Sequence, residues 1–280
     1  MHDLNNLSTL VTYVNDNGGV FTFTLAGGAL LTSVSGFDAV SVDLTEEAGM
    51  DNVGTVVLSS SVQSRPVTLS GVIAGELQTQ SKERLQRVFV PGLSGRLYAG
   101  DWYLTVIPVS TPAIERKRRY ASFQIQLLAP YPYWVSAQPS VFEFSAGAVS
   151  VYNPSPVPVP YSLTLTAFGG NATNPVLRYA DDDGVLGFEK PHVFIAAKIM
   201  SSDIGVKRPS VFETTHSGVA YRYRTDSGTY WIEADDKISV NSTLIRIPPG
   251  TTELYLGADS GSDKLSAVLE FSEEKTGVIL

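Results

Sequence analysis

The 280-residue sequence predicts an all-β protein of two domains with one short helix in the first, on the strength of three observations. Short runs of Val, Ile, Thr, Tyr and Phe alternate with polar residues at a period of two, which turns one side of each segment to a core and the other to water. Gly, Pro, Asn and Asp punctuate these runs every few residues, as the tight turns of antiparallel sheets require. A single proline-dense stretch, 130–160, breaks the rhythm and divides the chain.

In chain order, the alternating runs begin with 20–25, 37–44, 53–58 and 65–73. The period then changes over 79–89, where Leu85, Val88 and Phe89 fall on one face at helical spacing. Thr79 or Ser81 can cap that helix by accepting a hydrogen bond from a free amide, and Pro91-Gly92 ends it. Its apolar face is expected to pack on its own sheet. Runs at 103–109 and 120–128 complete a first domain, 1–135. Over 136–160, Pro139 and the sequence Asn153-Pro154-Ser155-Pro156-Val157-Pro158-Val159-Pro160 predict a semi-rigid extended linker, because proline fixes φ and biases its predecessor toward extended backbone. The second domain, 161–280, carries runs at 161–167, 193–199, 219–224, 230–233, 244–247, 252–256 and 267–271. Runs this short at this spacing point to sandwiches or barrels, not to parallel sheets.

Composition narrows the function classes. A hydrophobic fraction of 43% against 17% charged residues is enough to build a core. The absence of cysteine removes disulfides, thiolate metal sites and cysteine nucleophiles, and suits assembly in a reducing bacterial cytoplasm. The start, Met1-His2-Asp3-Leu4, lacks a secretory pattern, and no window approaches 18 uninterrupted apolar residues, so a soluble, unexported protein with no membrane insertion is expected. A net charge of -8 argues against a nucleic-acid-binding domain, since phosphate affinity comes from surface cations, while an acidic wall past which DNA slides remains compatible.

The sequence carries no signature of catalysis and no cofactor motif. His2, His192 and His216 are dispersed, without the helical pairing or neighbouring acids of a zinc site. Gly92-Leu93-Ser94-Gly95 lacks the frame of a nucleophile elbow. Asp181-Asp182-Asp183-Gly184 with Glu189 has the wrong spacing for a calcium loop and reads as an acidic turn. A glycan-cleaving pair such as Glu213 with Asp235 is left open by the sequence without being indicated by it. No catalytic residue and no metal ligand is therefore assigned. Two other groups stand out. The aromatics Tyr221, Tyr223, Tyr230 and Trp231 suit sandwich-core filling and, as the less favoured reading, stacking on a sugar. The run Glu115-Arg116-Lys117-Arg118-Arg119 is the densest charge cluster in an acidic chain and falls at a hairpin tip. Arg116, Lys117, Arg118 and Arg119 form either a solvated turn or a docking contact that steers an acidic neighbour.

Over 34–134 the chain resembles the distal tail proteins of long, non-contractile-tailed bacteriophages. The resemblance lies in the Gly-rich loop Gly49-Met50-Asp51-Asn52-Val53-Gly54, the Arg-bearing strand Arg65-Pro66-Val67-Thr68-Leu69-Ser70-Gly71-Val72-Ile73, the helix around Leu85, and the strand with its proline-aromatic exit, Phe123-Gln124-Ile125-Gln126-Leu127-Leu128-Ala129-Pro130-Tyr131-Pro132-Tyr133-Trp134. More loosely, Asn153, the run 161–167 and Ile247-Pro248-Pro249-Gly250 resemble the family's second domain, a jelly-roll or galectin-like sandwich. Residues 1–32 depart from the family pattern as an extension of unassigned role.

The resemblance implies a virion protein at the tail tip. Six copies would form a ring that joins the tail tube to the tip or baseplate proteins, tail-tip hub or fibre, that bind the host. The ring would adjoin the tape measure protein and let DNA pass in transit. A carbohydrate- or receptor-binding tail adhesin, lectin-like in fold, is the alternative on the same sandwich architecture.

Overall fold

The computed structural model describes residues 11–24, 27–48, 54–74, 78–117, 119–180 and 245–279, together with 192–194, 198–199, 210–214, 219–224, 231–233, 238 and 242. The chain divides into two compact units, Met1–Ala137 with Lys275–Leu280, and Gln138–Glu274. The second unit is thus inserted near the end of the first.

The first unit opens with β1 (Val11–Asn15), β2 (Val20–Thr22) and β3 (Ala29–Ser35). Next come β4 (Val42–Ala48), β5 (Thr55–Val62), β6 (Arg65–Ala74) and the helix α1 (Gln78–Val88). The strands β7 (Gly95–Ala99), β8 (Trp102–Pro108), β9 (Ala113–Arg116), β10 (Tyr120–Ala129) and β11 (Trp134–Ser136) follow. A path of antiparallel pairs runs β2-β1-β7-β8-β10-β6-β3, with β9 added to β10 and β11 to β8. Alternation decides which side is buried. Leu97, Leu104, Val106, Phe123, Ile125 and Leu127 point inward, and their strand neighbours point out. The helix closes one side of this core with the predicted residues Leu85, Val88 and Phe89, all buried. Phe89 stacks on Tyr13 at 4.3 Å and meets Phe21 and Phe23 at 6.0 and 6.1 Å, an offset aromatic cluster that knits helix to sheet.

Three expectations for this unit need correction. Residues 11–32 are integral, since β1, β2 and the start of β3 supply Val11, Tyr13, Phe21, Phe23 and Leu31 to the core. Ser81 does not cap the helix: its buried hydroxyl donates to the Gly27 carbonyl at 3.1 Å, because it sits inside the first turn and faces the sheet. The run expected from Phe37 starts instead at Val42, because Phe37 is drawn into the core.

The second unit contains β12 (Ser140–Ser145), β13 (Gly147–Asn153), β14 (Ser162–Ala167), β15 (Ala172–Tyr179), β16 (His192–Phe194) and β17 (Lys198–Ile199). It continues with β18 (Ser210–Thr214), β19 (Val219–Arg224), β20 (Trp231–Glu233), β21 (Gly250–Ser260) and β22 (Leu265–Phe271). One sheet has the order β12-β22-β14-β18-β19-β20, and the other β13-β21-β15-β16 with β17 also on β15. Their inward residues share one core, among them Leu163 and Leu165 with Leu269 from the first sheet and Val151, Leu177, Leu254 and Leu256 from the second, which makes the unit a sandwich. Residues 140–153, expected to belong to a linker, form two strands. The alternation of Val141-Phe142-Glu143-Phe144 seats Phe142 and Phe144 against the core between two groups of prolines. Among the described residues of the expected run 244–247, Ile247 forms a bridge with Val159, and Pro248 beyond it cannot donate to a ladder. Asn153 is 1% exposed and ties these pieces: its Nδ2 donates to Val157 and Ile247 carbonyls at 3.2 and 2.8 Å, and its Oδ1 accepts from the Ser155 amide.

The buried tyrosine of β1 sets an alkaline limit on stability. Burial, aided by Asp16, pushes the Tyr13 phenol up to about 12, whereas an unfolded tyrosine ionises near about 10. The folded state therefore holds a proton that the unfolded chain has released, so Tyr13's contribution is whole below about pH 10 and is lost as pH rises from there through the folded value. Tyr161 is pushed in the same direction by burial. Because the Tyr13 hydroxyl reaches the Leu93 carbonyl only at 3.4 Å, Tyr13→Phe should cost little at neutral pH. In urea unfolding from neutral pH to pH ~11, that variant should lose less stability than the parent; an unchanged alkaline slope would exclude Tyr13 as a source.

Candidate assembly surface

Among the described residues, strands β4 and β5 pair with each other alone, outside the three larger sheets. Their register runs from Val42↔Val62 to Ala48↔Thr55, with a bulge beside Thr45 and Glu46. At about 3.3 Å per residue, seven to eight residues make an arm of roughly 25 Å. Every described residue of the arm is exposed. This is unusual for its composition: Val42 is 51% exposed, Leu44 48%, Val56 57%, Val57 51%, Leu58 59% and Val62 46%. Strand pairing sets Val42, Leu44 and Val62 on one face and Asp43 and Thr45, opposite Ser61 and Ser59, on the other. The arm is thus a two-stranded ribbon with an apolar face and two free edges. An isolated ribbon of this kind is marginal in water, and free edges with uncovered apolar residues are what partner strands or surfaces bind.

The root of the arm is, by contrast, fixed on all sides. Arg65, the first residue of β6, is 2% exposed. Its Nη1 donates to the carbonyls of Gly36 and Phe37 at 2.9 and 3.1 Å, and its Nη2 donates to the Thr276 carbonyl of the C-terminal tail. Burial lowers the guanidinium pKa and the nearby Asp38 opposes that shift, so the charge is kept. The Phe37 carbonyl also accepts from Trp134 Nε1 at 3.1 Å and from the Val278 amide at 3.1 Å. The Phe37 ring packs on the Trp134 indole at 5.0 Å. Gly36 permits the turn: its φ is +82°, and a Cβ there would meet the Pro66 carbonyl oxygen at 2.1 Å. Lys275 seals the tail with its Nζ 3.9 Å above the Trp102 ring.

The other expected sites are placed as follows. Arg116 ends β9, Lys117 follows it, and the turn returns through Arg119 to β10, so the basic run is a hairpin tip; Arg118 lies outside the described residues. Arg116, Lys117 and Arg119 are exposed, and Lys117 pairs with Glu115. Tyr221 and Tyr223 sit on β19 opposite Phe212 and Ser210, and Trp231 on β20 pairs with Arg224. Tyr230, His2, His216, Asp181, Asp182, Asp183, Glu189 and Asp235 lie outside the described residues. Among the described residues, no three His, Asp or Glu side chains converge on one point, and no helix is long and apolar enough to cross a membrane. Sequence reading missed the arm. Its signal was Val56-Val57-Leu58, a run apolar on both faces and followed by Ser59-Ser60-Ser61, which no third strand could cover.

No protein-family model and no curated protein matches the sequence. Among solved structures, the Dit protein (gp 19.1) of phage SPP1, described as a paradigm of the hub adsorption apparatus in phages that infect Gram-positive bacteria, superposes with a TM-score of 0.69 at 13% identity, over 95% of this chain and 99% of that one. The chain has the Dit fold. Two chains of the phage P2 baseplate in its activated conformation, one with Ca and one with Sr, match with TM-scores of 0.53 at 11% identity, over 96% of this chain and 98% and 99% of theirs. The likeness spans both units of the chain.

The clamp at the arm's root has a measurable consequence. Arg65→Met should lower unfolding stability by about 2–4 kcal/mol, since it leaves one buried and two partly buried carbonyls without a charged donor, and Arg65→Lys should recover less than half because an ammonium cannot span the fork. Denaturant titration of the full chain checks this. A loss below about 0.5 kcal/mol for both variants would show that the carbonyls are satisfied by other donors.

Proposed function

We propose that the protein is a structural component of a phage tail tip, a distal tail protein whose copies close into a ring. The ring, of six copies by the family resemblance, joins the tail tube to the host-binding tip or baseplate proteins and leaves a central opening for DNA. The first unit forms the ring and the second faces outward. In this reading the protein is not an enzyme and acts by holding partners in register. It would meet the tube protein on one side and a hub or fibre protein on the other, beside the tape measure protein, after assembly in the host cytoplasm.

The observation that carries the reading is the arm on this particular fold. A chain of Dit fold over 95% of its length projects a ribbon with six large apolar side chains uncovered, on a root held by three hydrogen bonds from Arg65. Such a ribbon gains stability only by adding to another surface, and a ring supplies one such surface per copy. The net charge of -8 suits a channel wall that does not hold passing phosphates.

Sedimentation across a range of concentrations, with electron microscopy of the products, tests the ring directly. The parent should form closed rings, or form them on purified tail tubes. Leu44→Ser with Val62→Ser should leave monomer stability within about 0.5 kcal/mol, because both side chains are exposed. The same pair should weaken assembly about a hundredfold through lost apolar burial of roughly 3 kcal/mol. A parent protein that stays monomeric at every concentration and fails to decorate tail tubes would sink the ring.

A further inference from the structure

We infer that the acidic arm of one copy docks on the basic β9–β10 tip of the next, so that the ring closes through a head-to-tail contact between opposite ends of the same sheet. This deepens the ring reading and rests on it. Three observations lead here. The first is charge segregation. No lysine or arginine precedes Arg65 in the chain, and the arm carries Asp43, Glu46 and Glu47 with Asp51 between its strands. Residues 115–119 carry four cations and one anion. The arm thus carries carboxylates and no cation, and the β9–β10 tip carries the densest run of cations in the chain.

The second observation is topological. The arm leads into Arg65 at the start of β6, and the basic tip leads into Tyr120 at the start of β10. These strands pair antiparallel over their whole length, Arg65↔Ala129 at one end and Ala74↔Tyr120 at the other. The arm's root and the basic tip are thus about 30 Å apart at the rise of a strand. Complementary surfaces at opposite ends of one subunit make a heterologous contact, the type that generates closed rings when the rotation closes.

The third is the division of labour inside the arm. Exposed ion pairs contribute little affinity, whereas they decide orientation and exclude wrong registers. The face bearing Val42, Leu44 and Val62 supplies the buried area, and the face bearing Asp43 supplies the register. Lys117 is already shared with Glu115, so Arg116 and its neighbours offer the net positive charge. Glu46 is held by Thr55 within the arm at 2.9 Å, which leaves Asp43 and Glu47 to face outward contacts.

Two charge-reversed full-length chains test the pairing. The first is Asp43→Lys with Glu46→Lys and Glu47→Lys, which leaves Asp51 as the arm's one carboxylate, so that its arm and tip are both basic. The second is Arg116→Glu with Lys117→Glu, whose arm and tip are then both acidic. Each alone should assemble roughly tenfold more weakly than the parent at low ionic strength, with its monomer folded by circular dichroism. Mixed in equal amounts they should assemble again, in alternating order, because each arm then meets a tip of opposite sign. The parent's assembly should weaken as salt is raised. If the parent forms rings and both reversed chains do so equally well, or if each fails and the mixture fails too, the pairing is overturned while the ring stands. If the parent forms no ring in solution or on tubes, the ring reading falls and the pairing with it.

Discussion

The Phe37 carbonyl is the point on which the first unit is organised. It takes donors from three chain regions at once: Arg65 from β6, Trp134 from β11 and the Val278 amide from the C-terminal tail. A buried carbonyl left unpaired is costly, and one shared between a charged and two neutral donors fixes the relative position of everything that supplies them. Gly36 is needed so that the backbone can present this carbonyl inward, and the Phe37 ring then fills the space against Trp134. Its members share one acceptor, so the effects of removing them are expected to couple and not to add.

That fixed root bears on the assembly role proposed for the exposed ribbon. Arms with few packed contacts open and move at low free-energy cost, and an arm that swung freely would lose entropy on docking and weaken the contact. Here the chain is held at Gly36 and Phe37 as it leaves β3, and again at Arg65 as it enters β6. In the proposed ring, the ordering cost of the arm's root would be met largely in the folding of the monomer.

The sequence displayed the anchors more clearly than the arm. Arg65 in a strand of apolar alternation, Trp134 after a proline-aromatic run, and Leu85 with Val88 and Phe89 at helical spacing were each visible, because buried positions impose periodicity on their neighbours. Asn153 and Ile247 stood out as separate features, and only the fold shows that one hydrogen-bonds the other. The arm was hidden for a physical reason. Periodicity reports a core, and a ribbon whose partner is another molecule has no core within its own chain, so Val56-Val57-Leu58 read as one more strand. The same bias turned 136–160 into a linker: its prolines were conspicuous, while the modest alternation of β12, half-buried throughout on its inner side, was not. The basic tip was placed at a hairpin from charge and spacing alone, but its position opposite the arm follows from the β6–β10 register, which composition does not encode.

The order of the units along the chain makes the clamp a late product of synthesis. Residues 138–274 form the second unit, and only after them does the chain return to the first with Lys275–Leu280. That short return carries the Thr276 carbonyl bonded by Arg65, the Val278 amide bonded to Phe37, and the Lys275 ammonium over Trp102. Until those residues are made, Arg65 lacks one of its three acceptors and the Phe37 carbonyl one of its three donors. A chain synthesised as far as the second unit therefore has its arm but not the completed root. The last donor and acceptor of the clamp thus come from the return segment that follows the second unit, although all of the arm lies in the first quarter of the sequence.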